Sequence, residues 1–106
     1  MGVPEYDILE KSAVNVYVAG RIKGCPNYHE TFAKAADKLR MQGHTVFNPA
    51  AANQEGRPLN RIMEYLLSWL CREADAIALL PGWWRSGGAR IEWMLARYLG
   101  LKIIKL

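Results

Sequence analysis

The chain has 106 residues, 51% of them hydrophobic and 23% charged, a composition that fits one globular domain rather than a disordered chain. A net charge of +4 and a pI near 9.3 point to an anionic partner, yet Lys and Arg are scattered from Lys11 to Lys105 without a run, which favours a small phosphorylated ligand over a nucleic-acid duplex. Cys25 and Cys71 form no CxxC pair and have no histidine at zinc-ligand spacing, so neither a metal site nor a disulfide framework is expected.

Residues 1–13 read as a leader, either a short turn of helix or disordered, and residues 14–106 as the domain. Glu5, Asp7 and Glu10 precede any apolar run, which is wrong for a signal peptide, and no apolar stretch reaches the ~20 residues needed to span a bilayer. A soluble, cytoplasmic protein is therefore expected.

Residues 14–19 are a β-branched and aromatic run closing on Gly20, the first strand. The loop over residues 20–29 brackets Arg21 and Lys23 between Gly20 and Gly24, which suits a phosphate as well as an ordinary solvated loop. Residues 28–42 form an amphipathic helix with Phe32, Ala35, Ala36 and Leu39 inward and Gly43 as its stop. Residues 44–47 are a second strand running into the turn signal Asn48-Pro49. Ile62, Tyr65, Leu66, Trp69 and Leu70 give a second helix over 59–73. Residues 75–80 are a third strand, 87–99 a third helix stopped by Gly100, and 101–106 a fourth strand.

Strands alternating with helices imply right-handed crossovers and a Rossmann-like α/β fold, a parallel sheet of about four strands covered on both faces. Ligands of such sheets sit at the carboxyl ends of the strands, where the loops 20–29, 48–57 and 81–88 meet. Ser86 is a good N-cap, and Gly87 and Gly88 let backbone N–H groups approach an anion at the start of the third helix. Helical spacing puts Gly88, Glu92, Leu95 and Leu99 on one face, so Glu92 points toward the sheet. A carboxylate there either pairs structurally with Arg21, Arg85 or Arg90 or is kept for chemistry.

Of Trp83 and Trp84, one is expected to stack on a nucleobase and the other to pack; Trp69 and Trp93 are packing groups. His29 is read as a polar helix-start residue within reach of the site, while His44 and Asp75 lie at the amino ends of strands and are structural. There is no G-x-G-x-x-G or Walker pattern, no Ser-His-Asp order and no H-E-x-x-H.

The segments Tyr17-Val-Ala-Gly-Arg-Ile-Lys-Gly24, Asn48-Pro49, Ala74-Asp-Ala-Ile-Ala-Leu-Leu-Pro-Gly-Trp83 and Ser86-Gly-Gly-Ala-Arg-Ile-Glu92 resemble the nucleoside 2-deoxyribosyltransferase superfamily. The likeness is to its small phage and bacterial branch, with the 2′-deoxynucleoside 5′-monophosphate N-hydrolases as characterised relatives, and it covers nearly all of the chain after residue 13. It implies a flavodoxin-like fold that hydrolyses, or transfers at, the N-glycosidic bond of a nucleoside or nucleotide without cofactor or metal. Glu92 matches the family's nucleophile and Tyr17 its strand-end tyrosine. Ser86 matches the phosphate-binding serine, which in the hydrolases comes across a dimer interface, and Gly20, Arg21 and Lys23 fall on the first phosphate loop. Asn48, Gly88 and Trp83 complete the expected binding set.

The chain departs from the family pattern on the second helix. Relatives carry an aspartate eight residues before the one that opens the third strand; counting back from Asp75 reaches Leu67, and Glu64 is the nearest acid. That departure keeps a second expectation open, a nucleotide-binding or sensing module without turnover. Four tryptophans on so small a domain also lead one to expect an apolar patch that pairs two copies in a homodimer.

Overall fold

The computed structural model describes residues 13–52 and 56–106, so the leader over residues 1–13 lies, apart from Ala13, outside the described residues. Along the chain come β1 (Asn15–Ala19), α1 (Tyr28–Met41), β2 (Thr45–Phe47), α2 (Leu59–Arg72), β3 (Ala76–Leu79), α3 (Gly87–Leu99) and β4 (Lys102–Lys105), with 3₁₀ turns at Pro49–Ala51 and Trp83–Arg85. Each expected strand and helix is present, with ends moved by one residue at most.

The strands pair in parallel in the order β2-β1-β3-β4. The two central strands are buried along nearly their whole length, as expected of a parallel sheet covered on both faces, which selects continuous apolar runs rather than alternation. The edge strands are half-exposed, and Lys102 and Lys105 on β4 put charge where a bare edge would recruit another strand.

Alternation along β1 and β3 sorts their side chains into two layers. Val16, Val18, Ala76 and Ala78 pack with Phe32, Ala35 and Leu39 of α1. Tyr17, Ala19, Ile77 and Leu79 face the other way, against Leu66 and Leu70 of α2 and Ala89 and Ala96 of α3. Each fully buried large side chain contributes roughly 1.5–3 kcal/mol of transfer free energy, so these layers hold the sheet between its helices.

The packed stripe of α3 is Ala89, Glu92 and Ala96, with Trp93 and Leu95 partly buried and Leu99 44% exposed. The sequence pattern had put Leu99 inward with Glu92. Small alanines rather than leucines fill the stripe that packs on the sheet, and Leu99 in the last turn stays on the exposed side.

At the amino ends of the strands, the Asp75 carboxylate accepts the Asn15 N–H at 2.9 Å, and the Asn15 side-chain amide donates to the Glu73 carbonyl at 2.8 Å. His44 Nδ1 accepts the Val14 N–H at 3.3 Å. His44 and Asp75 therefore tie β1 to its neighbours, the structural role read from their positions. No helix among the described residues is long and apolar enough to cross a membrane.

Ala96→Leu tests the close approach of α3, because overpacking a full core costs about 1–3 kcal/mol. Thermal unfolding followed by circular dichroism should show a drop of roughly 4–8 °C per kcal/mol, whereas Ala33→Leu, on the exposed face of α1, should leave the midpoint nearly unchanged.

Candidate functional site

With β2 and β3 on opposite sides of β1, the chain reverses direction across the sheet between β1 and β3, the place where open parallel sheets bind ligands. A cleft of about 730 Å³ opens there, within the range of small-molecule sites. Gly20, Arg21, Ile22, Lys23 and Gly24 after β1, Pro49 after β2, Arg85 and Ser86 before α3 and Gly87 and Gly88 in its first turn line it, with Glu92 on its wall. The other surface is apolar: Phe32 of α1 and Leu59, Ile62, Met63 and Leu66 of α2.

Glu92 is 5% exposed, and among the described residues it is the buried charged side chain. None of Arg21, Arg85 or Arg90 pairs with it. Arg21 donates from Nε to the Lys23 carbonyl at 3.1 Å, Arg85 lies over the Trp84 ring, and Arg90 reaches the Trp84 carbonyl at 3.4 Å. The partner of Glu92 is Tyr17, whose hydroxyl donates to Glu92 Oε2 at 2.5 Å. The pairing follows from the layer structure, since Tyr17 on β1 and Glu92 on α3 both point into the space between sheet and helix.

Burial pushes the Glu92 carboxyl up from the ordinary 4.5 to about 7, and the hydrogen bond from Tyr17 opposes that rise by favouring the carboxylate. Burial first, then the Glu92 charge and their hydrogen bond, hold the Tyr17 phenol well above its ordinary 10, so it remains a donor. Tyr17 is completely buried beneath the cleft and fixed by ring contacts with Phe47 at 5.4 Å and Trp69 at 6.2 Å. Its position makes it a positioning group for Glu92 rather than part of the cleft surface.

The mouth of the cleft gathers positive charge and a helix start. Ser86 caps α3 by accepting the Ala89 N–H at 3.1 Å, and the N–H groups of Gly87 and Gly88 belong to the set that every helix start leaves unpaired. Arg21, Lys23 and Arg85 add positive charge on the same rim, and none of them forms an ion pair with a described carboxylate. Gly20 lets β1 run close beside β3, because a Cβ there would meet Leu80 Cδ1 at 2.7 Å.

The structure thus brings Gly20, Arg21, Lys23, Ser86, Gly88 and Glu92 to one cleft with Tyr17 behind it. Asn48 and Trp83 stand apart. Asn48 caps the turn Pro49–Ala51 by accepting the Ala50 N–H at 2.9 Å, while Trp83 packs on Trp93 with ring centroids 5.2 Å apart. Trp84 is 53% exposed outside the cleft, and the exposed His29 ring lies tilted against Tyr28. The residues the sequence pattern missed are Arg85 on the rim and the apolar wall of α2. Pattern alone identifies α2 as amphipathic, but not that part of its apolar stripe faces a cleft rather than the core. No group of His, Cys, Asp and Glu among the described residues could hold a metal ion.

Residues 14–105 match the family model described as a domain of unknown function, DUF4406, and the chain belongs to that family. No curated protein and no solved structure matches it.

The raised pKa makes Glu92 costly to the fold. Below pH 4.5 the carboxyl is protonated in folded and unfolded chains alike and costs nothing; between 4.5 and about 7 the unfolded chain loses its proton first, and stability falls as pH rises. Above that range the penalty is about 3 kcal/mol. Glu92→Gln, which keeps an acceptor for Tyr17, should therefore raise the unfolding midpoint on the order of 10 °C at pH 8 and little at pH 5, as read by calorimetry at both pH values.

Proposed function

We propose that the protein cleaves the N-glycosidic bond of a nucleoside 5′-monophosphate, by hydrolysis or by transfer to a second base, with Glu92 as the nucleophile. The observation that carries this reading is a buried carboxyl, aligned by a tyrosine and free of any described cation, on the wall of a cleft whose mouth is an anion-binding helix start. Six residues separate Ser86 from Glu92, about 9 Å of helix at 1.5 Å per residue. A helical side chain leans back toward the N-terminus, which shortens that span to the width of one sugar. A 5′-phosphate on the Ser86–Gly88 N–H groups, with Arg21, Lys23 and Arg85 around it, would bring C1′ to the carboxylate. The resemblance of these segments to the nucleoside 2-deoxyribosyltransferase superfamily supports the same roles for Glu92 and Tyr17 and a phosphate-binding role for Ser86; in the hydrolases that serine comes across a dimer interface, whereas here Ser86 lines the same cleft as Glu92 of its own chain.

In the first step a Glu92 carboxylate oxygen bonds to C1′ while the C1′–N bond breaks and its electron pair leaves with the base. Water, or a second base, then attacks C1′ and gives up a proton to solvent; the ester C1′–O bond breaks and its pair returns to Glu92. An oxocarbenium-like transition state develops positive charge on the sugar, which the carboxylate stabilises, and a 2-deoxy sugar lacks the hydroxyl that would oppose that charge.

The second reading is a nucleotide-binding module without turnover, and one observation favours it. On α2 Leu67 packs against the core, and Glu64 is exposed and paired with Arg61 at 3.2 Å, so neither position offers an acid to the cleft. The reading also includes a homodimer through the outer face of α3, where Ile91, Met94 and Tyr98 are 51%, 61% and 88% exposed. Sedimentation velocity should register a dimer that Met94→Glu dissociates.

Chromatography of free base released from a panel of nucleosides and 5′-monophosphates distinguishes the two functional readings. Release should need the 5′-phosphate and fall by ~10³-fold or more in Glu92→Gln; saturable binding with no release would leave the binding module. Because the carboxylate is the attacking form, kcat/KM should rise with pH through about 7 and level off above it. Tyr17→Phe removes the bond that favours the carboxylate, so the rise should move to higher pH.

A further inference from the structure

When an uncharged base leaves C1′, it takes the electron pair of the C1′–N bond and must gain a proton as it departs. Among the described residues, the α1 and α2 surfaces that share the cleft with Glu92 have no proton to give: Phe32 on α1 and Leu59, Ile62, Met63 and Leu66 on α2 are hydrocarbon or thioether. The polar groups of the cleft, Arg21, Lys23, Arg85 and Ser86, gather on the loops and the helix start that receive the phosphate. Among the described residues Glu92 is the one carboxyl that lines the cleft, and the nucleophile cannot also be the acid in the step that forms its own ester.

A second observation concerns charge. Once ionised, Glu92 has the Tyr17 hydroxyl as its hydrogen-bond partner and no described cation beside it, in a site whose walls are apolar. A buried charge in such surroundings is stabilised most by an opposite charge brought within a few ångströms. A base that already carries a positive charge meets both conditions. It neutralises the carboxylate on binding, and it departs uncharged without a proton.

We infer that, within the proposed N-glycosidase reading on which this rests, the substrate is a nucleoside 5′-phosphate with a cationic base, of the pyridinium or N7-alkylpurinium class. Glu92 bonds to C1′, and the electron pair of the breaking C1′–N bond cancels the positive charge on the base ring, so the base leaves neutral. Water then bonds to C1′ and releases one proton to solvent, the ester pair returns to Glu92, and the sugar 5-phosphate is freed. The apolar wall of α2 serves this substrate twice: it keeps the charge pair away from water and accepts the flat face of the base.

The test uses matched pairs that differ in the charge of the base: N7-methyl-GMP against GMP, N7-methyl-dGMP against dGMP, and nicotinamide mononucleotide against its reduced form. Free base is measured by chromatography for the native protein, with Glu92→Gln as the uncatalysed background. The expected result is Glu92-dependent release from the cationic member of at least one pair, with kcat/KM ~10²-fold or more above its uncharged partner, the scale of a missing general acid. A smaller ratio, with Glu92-dependent release from the uncharged members, would overturn this inference and leave the proposed N-glycosidase standing. Release from no member, with the nucleotides still bound, would overturn both.

Discussion

A single hydrogen bond, from the Tyr17 hydroxyl to the Glu92 carboxyl at 2.5 Å, is what the functional architecture turns on. It joins the central strand to the helix that bears the site and fixes the one acidic side chain buried among the described residues. A buried carboxyl without a cation costs the fold stability, and an alanine or leucine in its place would cost nothing of that kind. The arrangement sacrifices stability for a carboxylate held in one orientation against a cleft, the trade expected where chemistry rather than packing selects the residue.

Everything around that bond serves to position it. The β2-β1-β3-β4 order opens a crevice at the carboxyl ends of β1 and β3. Ala89 and Ala96 bring α3 down onto the sheet, so Glu92 reaches Tyr17 instead of solvent. Phe47 and Trp69 fill the space behind the phenol and prevent it from turning away. Positive charge and unpaired helix-start N–H groups are confined to the mouth, where Ser86, Gly87, Gly88 and the three cations stand, while the wall supplied by α2 is apolar. A polar end and an apolar side suit a ligand with a phosphate at one end and a flat ring at the other.

The elements were legible because their signals are local: uninterrupted apolar runs for the buried strands, and glycine or Ser-Gly-Gly at the helix ends. Glu92 was legible because a charge at an inward helical position conflicts with the pattern around it. Its partner was not. Arg85 and Arg90 beside it in the sequence, and Arg21 on the first loop, were the natural candidates because they carry the opposite charge, whereas Tyr17 lies 75 residues away and meets it through the crossover of the fold. Size misled on α3, where small alanines occupy the buried stripe and Leu99 does not. Trp83 and Asn48 were placed by their loops, but the backbone turns each toward a local partner, Trp93 and the Ala50 N–H. The dry wall of α2 could not be read at all, since an apolar stripe looks the same whether it lines a cleft or fills a core.

Whether Glu92 forms the bond to the sugar is decided by trapping that bond. A 2′-deoxy-2′-fluoroarabinonucleoside 5′-monophosphate slows breakdown of a glycosyl-enzyme, because fluorine withdraws electrons from the oxocarbenium-like transition state. Intact-protein mass spectrometry should then show one added fluorosugar phosphate, and peptide mapping should place it on Glu92. An adduct on another side chain, or release of base with no adduct at any stage, would rule out Glu92 as the nucleophile.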